Sequence, residues 1–245
     1  MPQKGLRTQR ADQPTVKRVP VRDRPPFADR QEAGQALARS LHSLQLDKPL
    51  VLALPRGGVP VAAEVAKALS APLDLLLVRK IGAPGQPELA VGAVAGLGAS
   101  RQTVLDAGLM AATGAEPAHM ERETARALAE MERRRQRYLH GRATPAVAGR
   151  NVIVVDDGIA TGTTVRAALK ALRALKPARV VLAVPVAPAS ALRALAPLVD
   201  TLLCLWTPEP FHAVGAHYLD FRQVSDEEVV AALGPVQAAA THHQA

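Results

Sequence analysis

From residue 27 onward, short apolar runs alternate with longer amphipathic segments. The apolar runs have the length of strands and consist mainly of Val, Leu and Ile without polar alternation, which is typical of parallel strands buried on both faces. We predict strands over 50–54, 73–78, 152–155, 179–185 and 201–205. Because segments of helix length separate most of these runs, the pattern predicts a single α/β domain whose parallel sheet carries helices on both faces.

The first amphipathic segment has a clear helix start. Asp29 is followed three residues later by Glu32, which is the spacing of a capping box, and Ala33, Leu37 and Leu41 then form one apolar face. Further helices are predicted over 59–69, 116–140, 163–175 and 190–198.

Two regions interrupt the alternation. Residues 81–100 hold five Gly and two Pro in twenty positions, so we predict a long flexible loop with one short strand over 91–95. Residues 116–140 form a charged helix with a narrow apolar stripe. Its basic run indicates a solvated or interface face rather than a nucleic-acid contact, and it comprises Arg133, Arg134, Arg135 and Arg137.

Composition changes this picture in two places. Aromatic residues make up only 2% of the 245 residues, so the core must consist of Ala, Val and Leu, yet four of the six rings lie between Trp206 and Phe221. The net charge is +8, but residues 1–26 carry seven basic and two acidic residues, which leaves +3 for the rest. We expect residues 1–26 to be a disordered basic tail, 27–233 to be the folded domain, and 234–245 to be a second disordered tail.

The sequence also limits the compartment and the partners. No apolar run approaches the length of a membrane helix, and the N-terminal residues lack the apolar segment of a secretory signal. The single cysteine, Cys204, cannot form an internal disulfide. We therefore expect a cytoplasmic protein without membrane or specific nucleic-acid partners.

The segment VIVVDDGIATGTT, residues 152–164, carries the strongest chemical signal. A buried strand ends in Asp156 and Asp157, which places both carboxylates at the carboxyl end of the sheet, where α/β proteins bind ligands. A turn of small residues then opens a helix, so its backbone amides and threonine hydroxyls can hold a phosphate. The phosphate-binding candidates are Ala160, Thr161, Gly162, Thr163 and Thr164. No Lys follows Gly162, which excludes the GxxxxGK[ST] loop of nucleoside triphosphatases.

Two further strand ends offer positive charge. LPRGGVPVA, residues 54–62, repeats the strand, Gly-rich turn and helix, and adds a cation at Arg56 beside Gly57 and Gly58. The next strand ends in Arg79 and Lys80, which would suit a pyrophosphate group at the same edge, although ordinary strand-end cations are the alternative.

VIVVDDGIATGTT resembles the phosphoribosyl-pyrophosphate motif of type I phosphoribosyltransferases, and the resemblance extends over roughly residues 27–233. It implies a parallel core sheet, a flexible loop over the active site and a C-terminal hood over about 206–233. It further implies that the protein is an enzyme of nucleotide metabolism, expected to be a homodimer. Such an enzyme transfers the phosphoribosyl group of 5-phosphoribosyl 1-pyrophosphate (PRPP) to a nucleobase-like acceptor, with Mg²⁺ as cofactor.

The resemblance also assigns roles to residues. Asp156 and Asp157 would engage the ribose hydroxyls, directly or through Mg²⁺, and residues 160–164 would hold the 5′-phosphate. Arg56, Gly57 and Gly58 would form the pyrophosphate loop, with Arg79 and Lys80 beside it. In the hood, Phe211 and Tyr218 are candidates for stacking on the acceptor base, and a purely structural role for Phe211 and Trp206 is the alternative.

Several alternatives remain open from the sequence. A regulator or sensor could keep the PRPP site and catalyse nothing, because the loop has Ala83 and Gln86 where related enzymes often carry basic residues and no general base is evident. A hydrolase using the paired aspartates is less consistent with the motif. His212 and His217 have no Cys or carboxylate cluster at ligand spacing, so we do not expect a zinc site.

Overall fold

A computed structural model of the chain describes residues 15–18, 26–98 and 100–234. The strands in these residues are β1 (Thr15–Arg18), β2 (Leu50–Ala53), β3 (Leu73–Leu75), β4 (Leu77–Ala83), β5 (Gln86–Leu97), β6 (Ser100–Leu105), β7 (Asn151–Val155), β8 (Arg179–Val186) and β9 (Thr201–Trp206). The α-helices are α1 (Arg30–His42), α2 (Gly58–Ala68), α3 (Ala107–Thr113), α4 (Pro117–Leu139), α5 (Thr163–Ala174), α6 (Ala189–Leu195) and α7 (Asp226–Leu233). Short 3₁₀ turns follow α6 and precede α7.

The central sheet contains six parallel strands in the order β1-β9-β8-β7-β2-β3. Val152 of β7 pairs with Leu50 of β2 on one side and with Val180 of β8 on the other. Every residue of β2, and every residue of β7 after Asn151, is buried. The unbroken apolar runs therefore form a parallel sheet buried on both faces, as predicted.

Two apolar clusters cover the two faces of this sheet. Ile153 of β7 packs into the cluster that contains α1, α2 and α4, whereas the next residue, Val154, packs into the cluster that contains α5 and α6. Successive side chains of a strand point to opposite faces, so a run of apolar residues supplies both layers at once. The prediction of helices on both faces is confirmed.

The predicted start of α1 is also confirmed. Asp29 caps the helix by accepting a hydrogen bond from the backbone N–H of Glu32 at 2.8 Å, and the Glu32 carboxylate accepts one from the Ala28 N–H at 2.6 Å. The first bond satisfies one of the N–H groups in the first turn of α1 that have no partner within the helix, and the second satisfies the N–H of the residue just before the cap.

The predicted flexible loop over 81–100 is wrong. Strands β4, β5 and β6 form an antiparallel three-stranded sheet, and the predicted short strand lies inside β5. The glycines there permit close strand approach rather than a loop. A Cβ on Gly96 would lie 2.3 Å from the Ser100 carbonyl oxygen, and one on Gly92 would lie 2.8 Å from the Val104 oxygen. The high glycine content of this region thus reflects closely packed strands. From the sequence alone, such a glycine-rich strand cannot be told from a glycine-rich loop.

The strand predicted over 73–78 is also wrong at its C-terminal end. It divides into β3 and the first two residues of β4, so Arg79 and Lys80 lie within a strand of the small sheet and not at the edge of the central one. Helix α3 was not predicted. Its cap, Asp106, accepts a hydrogen bond from the Leu109 N–H at 3.0 Å.

The first 26 residues differ from the prediction at four positions. Thr15–Arg18 form β1, an edge strand that pairs with β9, although they fall in the segment expected to be a disordered tail. Most of that segment and most of the predicted tail over 234–245 lie outside the described residues. The C-terminal segment attaches through a bridge between Phe27 and Tyr218 and through α7.

Candidate active site

The two aspartates lie directly after β7, at the carboxyl end of a central strand. They are partly buried, and the Asp157 N–H donates a hydrogen bond to Oδ1 of Asp156 at 2.9 Å. Because β2 is the neighbour of β7 in the sheet, the turn that follows β2 must pass beside this pair. The parallel order therefore brings two of the predicted loops to one place.

The turn from Leu54 to Gly58 packs directly on the aspartates. A Cβ on Gly57 would lie 2.0 Å from Oδ2 of Asp157, and one on Gly58 would lie 2.8 Å from the Val155 carbonyl oxygen. No side chain fits at either position, so both glycines are needed for the approach of this backbone to the carboxylates. Gly58 is the first residue of α2, whose N-terminus thus faces the same region.

The predicted phosphate loop opens α5. Gly162 precedes the helix with φ of +76°, a left-handed conformation that favours glycine. Ala160, Thr161 and Thr163 are exposed, and the hydroxyls of the two threonines are 3.3 Å apart. No side chain caps the helix, so the amides of its first turn remain available to an anion.

Arg30 is a site residue that the sequence reasoning missed. Its Nε donates to Oδ2 of Asp157 at 2.8 Å, and its Nη1 donates to the Arg222 carbonyl oxygen at 2.8 Å. Its guanidinium carbon lies 4.0 Å from the centre of the Phe221 ring, within cation–π range. The sequence held a signal for it, because Arg30 lies three and seven residues before Ala33 and Leu37 and so falls on the buried face of α1.

Burial dominates the electrostatics of the acid pair. Burial raises the pKa of Asp156 well above its ordinary value, and the neighbouring Asp157 charge raises it further. Burial also raises the pKa of Asp157, while the hydrogen bond and charge of Arg30 act in the opposite direction. Two close carboxylates in such a place favour a cation or a hydroxyl-rich ligand that would compensate their charge.

The three predicted cations are placed differently. Nη1 of Arg56 lies 3.4 Å from Oδ1 of Asp226. Lys80 lines a cavity of about 400 Å³ together with Thr161 and Thr163 of the phosphate loop. Arg79 is not part of this lining, because consecutive residues of β4 point to opposite faces. Lys80 therefore shares a cavity with two residues of the phosphate loop, whereas Arg79 does not line that cavity.

The two predicted acceptor residues have different surroundings. Tyr218 is only 6% exposed; its ring packs against Phe27 and Phe221, and its hydroxyl donates to the Asp157 carbonyl oxygen. Burial raises the pKa of Tyr218 above the ordinary range. Phe211 is half-buried, with its ring 5.4 Å from that of His217. The geometry thus favours a supporting role for Tyr218 and leaves Phe211 accessible.

The paired carboxylates suit one mode of Mg²⁺ binding. Across 26–98 and 100–234, no cluster of three or more His, Cys, Asp or Glu side chains could hold a metal by itself. Mg²⁺ is commonly bound by one or two carboxylates together with substrate phosphates and water. The adjacent carboxylates of Asp156 and Asp157 fit that mode.

Comparison with known proteins gives the same picture. The family model described as "Phosphoribosyl transferase domain" matches residues 28–202. Proteins from two strains of Mycobacterium tuberculosis, each named "Putative phosphoribosyl transferase", are 47% identical over 207 residues, which is 84% of this chain and 46% of theirs. The chain thus spans about half the length of the curated relatives that it matches.

A solved structure is similar over nearly its whole length. The crystal structure of TT1426 from Thermus thermophilus is 47% identical, has a TM-score of 0.75, and is matched over 85% of this chain and 97% of that one. None of the helices in the described ranges is long and apolar enough to cross a membrane. The family match, these relatives and the parallel sheet that carries the Asp156–Asp157 motif show that the chain belongs to the phosphoribosyl transferase family.

Proposed function

We propose that this protein binds PRPP with Mg²⁺ and transfers its phosphoribosyl group to a nucleobase-like acceptor, releasing pyrophosphate. The observation that carries the proposal is the contact between two loops: the Gly57–Gly58 turn lies against Asp157, and the phosphate loop begins three residues after that aspartate. This arrangement offers places for a pyrophosphate, a ribose and a 5′-phosphate side by side.

The residues would act mainly through charge. Breaking the bond to the anomeric carbon develops positive charge on the ribose ring and negative charge on the departing pyrophosphate. The Gly57 amide and the guanidinium of Arg56 would stabilise the departing group, while Asp156 and Asp157 would hold the ribose hydroxyls. Mg²⁺, when bound beside these carboxylates, would supply further charge neutralisation.

The phosphate loop would fix the other end of the substrate. The free amides at the start of α5 and the hydroxyls of Thr161 and Thr163 suit the 5′-phosphate, and Lys80 lines the adjacent cavity. Holding both ends would orient the anomeric carbon toward the acceptor.

Calorimetric titration with PRPP and Mg²⁺ tests the binding step. We expect saturable binding to the wild-type protein and at least a tenfold loss of affinity in the Asp156→Asn/Asp157→Asn variant. Asp47→Asn is the matched control, because Asp47 is exposed and its side chain lies outside the site. Equal binding by the double variant, or no heat with the wild type, would exclude this PRPP site.

A panel of purines, pyrimidines and other amines tests the transfer step. Pyrophosphate release that depends on one acceptor would establish a transferase. Binding of PRPP without pyrophosphate release for any acceptor in the panel would instead support a regulator or sensor. The lack of an identified general base is the observation that favours this alternative.

Acceptor recognition is proposed for Phe211. Stacking on a base contributes roughly 1–3 kcal/mol, so Phe211→Ala should raise the acceptor KM about five- to 150-fold with PRPP affinity unchanged. Leu219→Ala is the control, since Leu219 is 75% exposed in the same segment. An unchanged KM in a folded Phe211→Ala variant would remove this role.

We also expect a homodimer in the cytoplasm. Sedimentation of the purified protein tests the oligomeric state, and a monomer at micromolar concentration would refute that part of the proposal.

A further inference from the structure

A cavity of about 240 Å³ lies where α4, α7 and the turn before α2 meet. We call it the arginine cavity, and its lining consists of Arg56, Glu130, Arg133, Arg134, Arg137, Tyr138 and Asp226. Four cationic side chains therefore share the cavity with two anionic ones. A surplus of positive charge on a concave surface concentrates the electric field and attracts anions.

The two carboxylates occupy only some of the N–H donors of the four arginines. Glu130 accepts from Arg133 and from Arg134, the latter at 2.9 Å. Asp226 accepts from Arg137 at 2.7 Å, from Arg56 at 3.4 Å and from the Tyr138 hydroxyl. Because a guanidinium has five N–H donors and a carboxylate has about four acceptor positions, about twenty donors face about eight acceptors. Even with the Glu227 contact of Arg137, donors remain for another anion.

The exposed parts of the cavity are the cations. The side chains of Glu130 and Asp226 are 17% and 19% exposed, whereas those of Arg133 and Arg137 are 78% and 55% exposed. The carboxylates thus lie deeper than Arg133 and Arg137, which reach solvent at the mouth, and Arg56 and Arg134 are intermediate at 32% exposed each. A planar guanidinium matches two oxygens of one phosphate group, so several of them favour a chain of phosphates over a single carboxylate.

We propose that the arginine cavity is a second anion site, which binds a di- or polyphosphate group, either free or carried by a nucleotide. The basic run over 133–137 by itself predicts only a solvated or interface face. The cavity adds the neighbouring Arg56 and the shared carboxylates, which the run alone did not indicate.

The site is connected to the active site through Arg56. This residue directly precedes Gly57, which lies against Asp157. Its bond to Asp226, at 3.4 Å, is longer than the Arg134–Glu130 and Arg137–Asp226 ion pairs, at 2.9 and 2.7 Å. A phosphate chain in the arginine cavity would compete for that guanidinium. The predicted consequence, which rests on the proposed function, is that occupancy raises the Kd for PRPP, and by linkage PRPP raises the Kd for the phosphate chain.

Arginine side-chain NMR locates the ligand directly. We expect the Nε–Hε signals of Arg133, Arg134 and Arg137, assigned from single Arg→Lys variants, to shift saturably with inorganic tripolyphosphate. The signal of Arg126 is the internal control, since it pairs with Glu123 at the same spacing as Arg133 with Glu130 and is 76% exposed. Shifts no larger than that of Arg126 would overturn the proposal.

Affinity measurements separate this site from the PRPP site. Arg133→Gln/Arg137→Gln should weaken tripolyphosphate binding at least tenfold and leave PRPP affinity in the absence of tripolyphosphate within twofold. Arg126→Gln should change neither. Loss of PRPP affinity in the double variant would show that these residues belong to the pyrophosphate subsite, and would overturn a separate site. This outcome differs from failure of the proposed function, in which PRPP does not bind the wild type.

Two further measurements complete the test. ADP and tripolyphosphate are compared on the wild type: equal affinities support recognition of the phosphate chain alone, and tenfold tighter ADP binding supports a nucleotide. Arg133→Lys/Arg137→Lys keeps the charge without the planar guanidinium, so an intermediate affinity is expected even if the Gln variant folds poorly. Wild-type affinity in a folded Gln variant would reject the site.

Discussion

At the scale of single residues, the active-site geometry depends on positions where no side chain is possible. Gly57 is the clearest case, because a Cβ at this position would lie only 2.0 Å from Oδ2 of Asp157. The sequence indicated that this turn was glycine-rich. It did not indicate that the turn contacts the aspartates of another loop, about a hundred residues later.

Gly57→Ala should displace the Asp157 carboxylate, since the new Cβ would lie 2.0 Å from Oδ2. We expect a cost of roughly 1–3 kcal/mol in unfolding free energy and at least tenfold weaker PRPP binding. Urea unfolding and calorimetry measure both. Gly108→Ala is the control: its nearest neighbour would be an Asp106 oxygen at 3.4 Å, so it should be neutral or slightly stabilising. Unchanged PRPP affinity in Gly57→Ala would contradict the assignment.

We expect the stability of the protein to depend on pH through the buried carboxyl of Asp74. Burial raises its pKa from 3.8 to about 6. The folded state therefore binds this proton more tightly, so the contribution to stability is full below the unfolded pKa of 3.8 and is lost as the pH rises through 6. At about 1.4 kcal/mol per pKa unit, the loss is about 3 kcal/mol.

Asp74→Asn keeps the side-chain acceptor for the Leu75 N–H but cannot ionise. Urea unfolding at a series of pH values should show the variant gaining stability relative to the wild type as the pH rises from 4 to 7. Parallel curves for the two proteins over that range would show that Asp74 does not titrate as stated.

At the scale of elements, α1 contributes more than an apolar face. Through Arg30 it holds the Asp157 carboxylate and the Arg222 carbonyl, so it joins the acid pair to the C-terminal segment. Tyr218 makes a second connection from the same segment to the Asp157 backbone. The helix pattern predicted α1 correctly, but the partner of Arg30 lies 127 residues away along the chain.

Arg30→Met should be strongly destabilising, because the Arg30 and Asp157 side chains are only 10% and 13% exposed and the carboxylate would lose its partner. Removing one member of a buried pair costs roughly 3–5 kcal/mol. Arg222→Met is the control: the Arg222 side chain is 69% exposed, and its ion pairs should contribute about 0–1 kcal/mol. Equal unfolding free energies for the two variants would contradict the role given to Arg30.

At the scale of the whole molecule, two sheets of different character share one chain. The central sheet is parallel and buried on both faces, whereas the small sheet of β4, β5 and β6 is antiparallel, and β6 has no buried residue. Lys80 belongs to the small sheet and faces the phosphate loop of the large one. The cavity between them therefore depends on how the two sheets pack.

Hydrogen exchange should distinguish the two sheets. Amides of β7 and β8, in the middle of the buried sheet, should exchange only through global unfolding, whereas those of β6 should exchange through local opening with a smaller free energy. Exchange measured by NMR or mass spectrometry over a range of urea concentrations tests this. Protection of β6 equal to that of β7 would contradict it.

Local patterns were sufficient for much of the fold. The spacing of apolar residues and their burial depend on neighbours in the chain. This spacing predicted the central strands β2, β7, β8 and β9, the capped start of α1 and the turn before α5. The small sheet was not, because Gly92 and Gly96 are compatible with a loop until the facing strand is known. Arg79 and Lys80 were expected at a strand end, and the structure places them inside β4, where consecutive side chains point to opposite faces.

The parallel α/β sheet could be predicted from the sequence, as could the pair Asp156–Asp157 at a strand end and the turn that opens α5, because each depends on residues close together in the chain. The contacts with distant groups come from the packing of the whole chain: Gly57 and Arg30 at Asp157, Lys80 in the cavity beside the phosphate loop, and Arg56 in the arginine cavity. The physical reason is that strand order and helix packing set these contacts, and neither is encoded in the local period of apolar residues.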